Sequence, residues 1–180
     1  LKISPHVAVF TNLMPDHQNY YKTMDEYFAD KANIFLFQKE GDALIVGEQV
    51  ADRITSPHAT TPMPLPANWQ LHVLGRHNRE NDALAADALA ALGLSQEEIR
   101  AGLESFEPVE GRLQFLREVQ GAKIYNDNNA TTPEATLAAL RALIPHHEEK
   151  FGFRKPKYRG LALICGGSEK GLDGKELVNE

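Results

Sequence analysis

The sequence predicts an α/β protein with a parallel sheet. In the second half of the chain a β-prone run (Ala122–Tyr125), a helical pattern that begins at Pro133 and an apolar run (Gly160–Cys165) follow one another. Strand, helix and strand in this order indicate parallel strands joined by a right-handed crossover. In the first half, two further β-prone runs, His6–Phe10 and Ala43–Val46, flank another helical pattern.

The composition indicates a globular protein that fits the cytoplasm. With 180 residues, of which 42% are hydrophobic and 24% charged, the chain can bury one full core or two smaller ones. No apolar run approaches the roughly 20 residues that a membrane span needs. The single cysteine, Cys165, excludes an internal disulfide and fits a reducing compartment. A net charge of −6 argues against nucleic acid as the main partner, and we expect a monomer.

The elements of the first half follow from local patterns. The strand at His6–Phe10 ends in a polar cluster at 11–17. Thr23–Glu26 has the form of a capping box, in which two side chains bond to backbone N–H groups at a helix start. We expect this helix to run to about Phe37. The apolar run Ala43–Val46 is typical of a short buried strand.

The next elements are separated by proline and glycine. Residues 55–68 contain four prolines, which predicts a loop or an edge strand. A strand is possible at Leu71–Leu74, and Gly75 then precedes a helix predicted at about 79–92. A second capping box, Ser95–Glu98, opens a helix that we expect to end near residue 104.

A change of pattern near 106–111 predicts a boundary. Residues 113–119 and 122–126 flank Gly121 and predict a β-hairpin. Thr132 is expected to cap the following helix, with Pro133 as its first residue.

The loop between the second hairpin strand and this helix is rich in polar groups. Asp127, Asn128, Asn129, Thr131 and Thr132 place a carboxylate, two amides and two hydroxyls after a strand. Open α/β sheets bind ligands at the carboxyl ends of their strands, so this loop is a candidate site. An ordinary polar connection between strand and helix is an equally good interpretation of the segment alone.

Lys31 lies in the apolar stripe of the first predicted helix. The stripe consists of residues at helical spacing: Met24, Tyr27, Phe28, Ile34 and Phe35. A lysine among them must reach out to solvent, pair with a carboxylate, or change its chemistry. Burial disfavours the charged amine, and a neutral amine can react with carbon dioxide to form a carbamate, which is a metal-binding anion. Without further context, a lysine that reaches solvent is the more common outcome.

Several motifs together resemble the Mur ligases, which use ATP to build the peptide of bacterial cell-wall precursors. They are Asp16-His17 after a strand, Gly75–Asn81 with its Gly-x-His-Asn-x-x-Asn pattern, Gly111-Arg112, and Asp127 followed by Ala130–Glu134. The last loop is most similar to that of members that add D-glutamate to UDP-N-acetylmuramoyl-L-alanine. The resemblance covers nearly the whole chain.

The resemblance implies a fold and a domain division. Residues 1–110 would be the second half of a doubly wound, P-loop-type central domain that binds ATP. Residues 111–180 would begin a Rossmann-like C-terminal domain that binds the amino acid. The chain has no Gly-x-x-x-x-Gly-Lys-Ser/Thr phosphate loop. We therefore expect it to be a fragment of the enzyme that is inactive by itself.

The resemblance also implies roles for residues that would hold magnesium and ATP. His17 and a carbamylated Lys31 would be catalytic and would hold the metal, and we expect the Lys31 amine to be buried. Asn78 and Asn81 would contact the adenine and Arg112 the phosphates, while Asp127 would contact the ribose or hold Arg112 in place.

Thr131 and Lys170 would bind the carboxylates of D-glutamate. ATP would phosphorylate the carboxylate of the sugar nucleotide, and the amine of D-glutamate would then attack the acyl phosphate. Two positions depart from the family pattern, because Asn19 and Asn129 stand where an aspartate and a lysine are frequent.

Two other interpretations remain open. Another ligase of the superfamily, such as one similar to folylpolyglutamate synthetases, would share these motifs and use a different amino acid. A non-catalytic module that binds nucleotide or a protein partner could keep the fold, although it would have little reason to retain His17, Lys31 and Asp127 together.

Overall fold

The computed structural model describes residues 2–17, 19–144, 161–167 and 172–179, and it is an α/β fold. Three parallel strands lie in the order in which they occur in the chain: β1 (Val7–Phe10), β2 (Ala43–Val46) and β3 (Ala59–Thr60). Val7 faces Ala43 across the first pair of strands. The first two strands and the edge-strand interpretation of the proline-rich segment are confirmed.

The core of the first half forms where helix α1 (Met24–Ala32) covers this sheet. Leu44, Ile45 and Val46 of β2 are almost fully buried. Each such side chain contributes about 1.5–3 kcal/mol relative to an exposed one. Leu44 and Val46 form one core cluster with Tyr27, which comes from α1.

Helix α1 ends five residues before the predicted end at Phe37. The amide of Asn33 donates to the carbonyl oxygen of Asp30 at 3.0 Å, and the next backbone N–H groups bond three residues back, as Ile34 does to Lys31. Such local bonds compete with the regular helix pattern. At the other end, the Thr23 hydroxyl accepts from the Glu26 N–H as predicted, but the Glu26 carboxylate accepts from Lys22. The capping box is therefore only half formed.

Two helices form the second layer, α2 (Arg76–Ala91) and α3 (Gln96–Ser105). The capping box at Ser95 and Glu98 is complete. The helices pack through a second cluster that contains Trp69, Ala86, Ile99 and Leu103. The predicted strand at Leu71–Leu74 is wrong, because these residues lie in no strand and Leu71 instead packs against that cluster.

The predicted hairpin is confirmed as β4 (Gln114–Val119) and β5 (Ala122–Asn126), which pair antiparallel. Gln120 and Gly121 join them with φ angles of 51° and 83°. Left-handed conformation at both central residues is the geometry of tight hairpin turns that match strand twist.

Helix α4 (Pro133–Leu143) follows the hairpin, and a short helix α5 (Lys175–Asn179) lies near the end of the described chain. The Thr132 hydroxyl caps α4 by accepting from the Ala135 N–H at 3.3 Å. No helix among the described residues is both long and apolar enough to cross a membrane.

The predicted strand at Gly160–Cys165 is wrong for its described part. Residues 161–165 form no strand, and the Ile164 side chain is 98% exposed. A strand needs a neighbour to take its backbone N–H and C=O groups. Within the part of the chain that the structure describes, no strand lies beside this run, so the parallel crossover expected after α4 is not formed.

The close approach of β1 and β2 at their carboxyl ends predicts a stability effect at Gly47. A Cβ there would fall on the carbonyl oxygen of Thr11, although the φ of −66° suits any residue. We expect Gly47→Ala to lower the free energy of unfolding by about 1–3 kcal/mol. Gly102→Ala is the matched control, because the added Cβ would meet nothing within 4 Å. Alanine is favoured over glycine inside a helix, so this change in α3 should raise the free energy of unfolding by about 0.5–1 kcal/mol. Urea unfolding of both variants checks this; equal midpoints would contradict it.

Candidate functional site

An open cleft of about 830 Å³ lies between α2 and the segment that surrounds Arg112. Thr11 and Asn12, which directly follow β1, line one side, and Asp127, which directly follows β5, lines another. The carboxyl ends of two strands thus face the same cleft, as is typical of ligand sites in α/β proteins. Four residues expected to bind one ligand all line it: Asn78, Asn81, Arg112 and Asp127.

The first side of the cleft is the N-terminal part of α2. The Asn78 amide donates to the carbonyl oxygen of Leu74 at 2.7 Å, just before the helix. Its side-chain oxygen therefore remains available as an acceptor. Asn78 does not cap a helix N–H group, since Gly75 occupies the cap position with a φ of 88°. Asn81, one turn further along the same face, is exposed.

The second side is the segment Gly111–Leu113, which is held by the loop after β5. Gly111 and Leu113 have φ angles of 74° and 43°. The Leu113 N–H donates to a carboxylate oxygen of Asp127 at 2.9 Å, and the Asn129 N–H donates to the Gly111 oxygen at 3.1 Å. These bonds fix the backbone on both sides of Arg112.

Arg112 itself presents a free cation to the cleft. Its side chain is exposed, and its guanidinium makes no hydrogen bond or ion pair with another residue of the described chain. Guanidinium is permanently charged and has a forked donor pattern that suits phosphate or carboxylate. Asp127 holds Arg112 through the neighbouring backbone at Leu113, not through a direct ion pair.

Asn129 closes the loop against this segment. Its amide donates to the Glu110 carbonyl at 2.8 Å. A Cβ on Gly111 would collide with the side-chain oxygen of Asn128 and would lie 2.8 Å from the Asn129 amide nitrogen. Glycine is thus required at 111 for both its conformation and its contacts, and Asn129 contributes a structural hydrogen bond to this segment.

Among the cleft residues to which the sequence pattern assigned no role, His77 and Asp82 have shifted pKa values. Burial lowers the pKa of His77, against the attraction of Asp127 and Glu80. Burial also raises the pKa of the Asp82 carboxyl, which the nearby Arg79 opposes. Helical spacing could have identified Asp82, since it lies four residues after Asn78.

His17 and Lys31 both lie close to the ring of Tyr27, which is not among the residues that line the cleft. The centroids of the His17 and Tyr27 rings are 6.0 Å apart, and the Lys31 Nζ lies 4.8 Å from the Tyr27 centroid. Tyr27 is 7% exposed and so provides a fixed platform. The His17 backbone has a φ of 55° and donates to the Asp16 carboxylate at 2.8 Å.

The predicted burial of Lys31 is wrong. The residue is exposed, and the neighbouring Ala32, 3% exposed, occupies the buried position instead. The buried face of α1 is therefore centred between Tyr27 and Ala32, and Lys31 lies at its margin. The ammonium group is attracted to the Tyr27 ring while it stays in contact with water.

A magnesium ion is not accommodated by these residues as they stand. Among the described residues, no group of three or more His, Cys, Asp and Glu side chains is placed to hold a metal. Magnesium prefers oxygen ligands, whereas His17 and an unmodified Lys31 offer nitrogen. A carbamate on Lys31 would add oxygen ligands.

Of the two residues expected to bind the amino-acid substrate, one lies within the described residues. Thr131 is exposed on the loop before α4, next to Ala130, which lines the cleft. Lys170 lies outside the described residues.

Comparison with known families and proteins agrees with this geometry. Residues 1–62 match the Mur ligase middle domain. UDP-N-acetylmuramoylalanine--D-glutamate ligases are similar over nearly the whole chain: that of Desulfitobacterium hafniense is 30% identical over 93% of the chain, and that of Streptococcus pneumoniae is 33% identical over 97%. The chain spans about two fifths of the length of these relatives, 40% and 41%.

Two solved structures show the same fold at low sequence identity. MurF from Acinetobacter baumannii superposes with a TM-score of 0.65 at 22% identity, over 78% of this chain and 37% of that one. A mutant of L. casei FPGS superposes with a TM-score of 0.57 at 21% identity, over 78% and 42%.

Proposed function

Since this chain belongs to the Mur ligase family, we propose that it is part of an ATP-dependent ligase that joins D-glutamate to UDP-N-acetylmuramoyl-L-alanine. The observation that carries the proposal is the cleft, where Asn78 and Asn81 face Arg112 and Asp127. The names of the similar relatives supply the substrates. The activity belongs to the full-length protein that contains this chain.

The proposed domain boundary lies at Gly111. Residues 1–110 would complete the central domain, and residues 111–180 would begin the next one. Gly111 adopts a left-handed φ of 74°, as a hinge glycine can. It also lies against Asn128, so the hinge would be held in place by that loop when the cleft is formed. Closure of the two parts would then bring nucleotide and amino acid together.

In the proposed complex, ATP spans the two sides of the cleft. The amides of Asn78 and Asn81 lie on one face of α2, where they would bond to the edge of the adenine. The free guanidinium of Arg112 would contact the phosphates. Asp127 would orient Arg112 through the Leu113 N–H, from which it accepts a hydrogen bond at 2.9 Å.

The proposed reaction has two steps. A carboxylate oxygen of the sugar nucleotide bonds to the γ-phosphorus of ATP, and the bond from that phosphorus to ADP breaks. The amine of D-glutamate then attacks the acyl carbon, loses a proton, and phosphate leaves. Arg112 would stabilise the charge on the transferring group. Thr131 and Lys170 would hold the carboxylates of D-glutamate.

The proposal includes magnesium as the ion that accompanies the ATP phosphates. His17 and a carbamylated Lys31 would contribute to its binding, beside the Tyr27 ring. As these residues stand they form no complete metal site.

We also propose that the reaction takes place in the cytoplasm, where ATP is available, and that the enzyme is a monomer. Cys165 is free and exposed, which fits a reducing compartment.

Amino-acid selection by the full-length protein tests this function. Purified protein would be given ATP, either UDP-N-acetylmuramoyl-L-alanine or a folate acceptor, and one of D-glutamate, L-glutamate, L-lysine or glycine, while ADP release and product mass are measured. We expect turnover with D-glutamate only. Turnover of L-glutamate with a folate acceptor would instead support a folylpolyglutamate synthetase, and absence of turnover with every pair would support a non-catalytic module.

A further inference from the structure

Asp82 is a carboxylate of the cleft without a partner. It lines the cleft from α2, it is half-buried, and it makes no hydrogen bond or ion pair with another described residue. Arg79, one turn earlier, attracts it electrostatically but directs its guanidinium to the carbonyl oxygen of Pro66 at 3.2 Å. A half-buried acceptor without a donor is costly, so a ligand that brings a donor would be favoured.

The position of Asp82 places its carboxylate beside the two amides. Asn78, Asn81 and Asp82 are related by three and four residues along α2, so they share one face of the helix. All three line the cleft.

This face is rich in acceptors. The Asn78 side chain bonds to the Leu74 carbonyl oxygen through its NH₂ group, because a carbonyl oxygen can only accept. The side-chain oxygen of Asn78 is therefore the atom that remains for a ligand. The Asp82 carboxylate adds acceptors, whereas Asn81 can supply a donor. A base that presents an exocyclic amine next to a ring nitrogen acceptor complements this pattern. Adenine has that edge, and hypoxanthine replaces the amine with a carbonyl.

We propose that Asp82 determines base specificity in the cleft by accepting a hydrogen bond from the exocyclic amine of adenine. The inference rests on the proposed function, which places ATP in this cleft, and it assigns a role to a residue outside the motif. A carbonyl at the same place would face the carboxylate, so oxygen would oppose oxygen and the 6-oxopurine would be rejected.

Binding of ADP and inosine diphosphate to the full-length protein tests the proposal. Isothermal titration would give the Kd of each ligand for the native protein, Asp82→Ala and Asp82→Asn. A hydrogen bond to a charged group is worth roughly 10- to 100-fold in affinity. We expect a preference for ADP of about that size in the native protein. Asp82→Ala should lose most of it through weaker ADP binding, and Asp82→Asn should improve binding of inosine diphosphate, since an amide can donate to the carbonyl.

Asp87→Ala is the matched control, because Asp87 is on the same helix and is not among the cleft-lining residues. It should leave both Kd values unchanged, and the thermal midpoint of each variant reports folding. An unchanged ratio of the two Kd values in Asp82→Ala would overturn the inference while leaving ATP in the cleft. Loss of the Asp82→Ala effect with 2′-deoxy-ADP would also overturn it, because the carboxylate would then contact the ribose. A native protein that binds neither nucleotide would refute the proposed function itself.

Discussion

Replacing Lys31 with Ala in the full-length protein is expected to lower the rate of ligation by roughly a hundredfold or more. The Lys31 amine is exposed, so carbon dioxide can reach it, and it lies 4.8 Å from the Tyr27 ring that also contacts His17. Carbamylation joins the amine to carbon dioxide. We therefore expect the carbamate to increase with dissolved carbon dioxide.

Two measurements distinguish a role of Lys31 as a carbamate from a role as an unmodified ammonium group. A short-chain carboxylic acid should restore part of the activity of Lys31→Ala by supplying an anion, and protein equilibrated with ¹³C-labelled carbon dioxide should show a carbamate carbon signal that the variant lacks. Lys39→Ala, another exposed lysine outside the site, should behave as the native protein. Full activity of Lys31→Ala without any additive would contradict the proposed role.

Arg112→Ala is expected to reduce kcat/KM for ATP by roughly 100- to 1000-fold. The guanidinium has no partner among the described residues, and its backbone is fixed by bonds from Asp127 and Asn129 to the adjoining residues. Its whole donor pattern is thus available to phosphate. Arg112→Lys keeps the charge but loses the fork, so it should recover only part of the activity.

The control for this change is Arg117→Ala, because Arg117 is an exposed arginine of β4 that does not line the cleft. Initial rates at varied ATP, with the other substrates saturating, give the comparison. Equal kcat/KM values for Arg112→Ala and Arg117→Ala would show that the Arg112 guanidinium does not contact the nucleotide.

The sequence was most informative where short-range rules determine structure. Ser95 and Glu98 formed the complete capping box that their spacing predicts, and Gly121 formed the tight turn of the hairpin. The helix after Gly75 began at Arg76, three residues before its predicted start, because Gly75 takes the cap position without a side-chain bond. The predicted ligand residues came from both sides of residue 111, and no local pattern could have shown that they line one cleft.

The errors occurred where contacts distant in sequence decide the outcome. Lys31 lay within the helical stripe, but packing against the sheet turned Ala32 inward. The apolar run 161–165 has strand composition, yet a strand exists only with a neighbour to bond to. His77 and Asp82 were assigned no role because their importance comes from the opposite wall of the cleft, which their own segment does not specify.

We expect the adenosine end of ATP to lie at α2 and the phosphate end at Arg112. Isothermal titration of ATP and of adenosine into the full-length native protein, Asn81→Ala and Arg112→Ala tests this placement most directly. Both residues line the cleft, on opposite sides. We predict that Asn81→Ala weakens both ligands by the same factor, whereas Arg112→Ala weakens ATP alone. ATP affinities that remain at the native value in both variants would contradict the account.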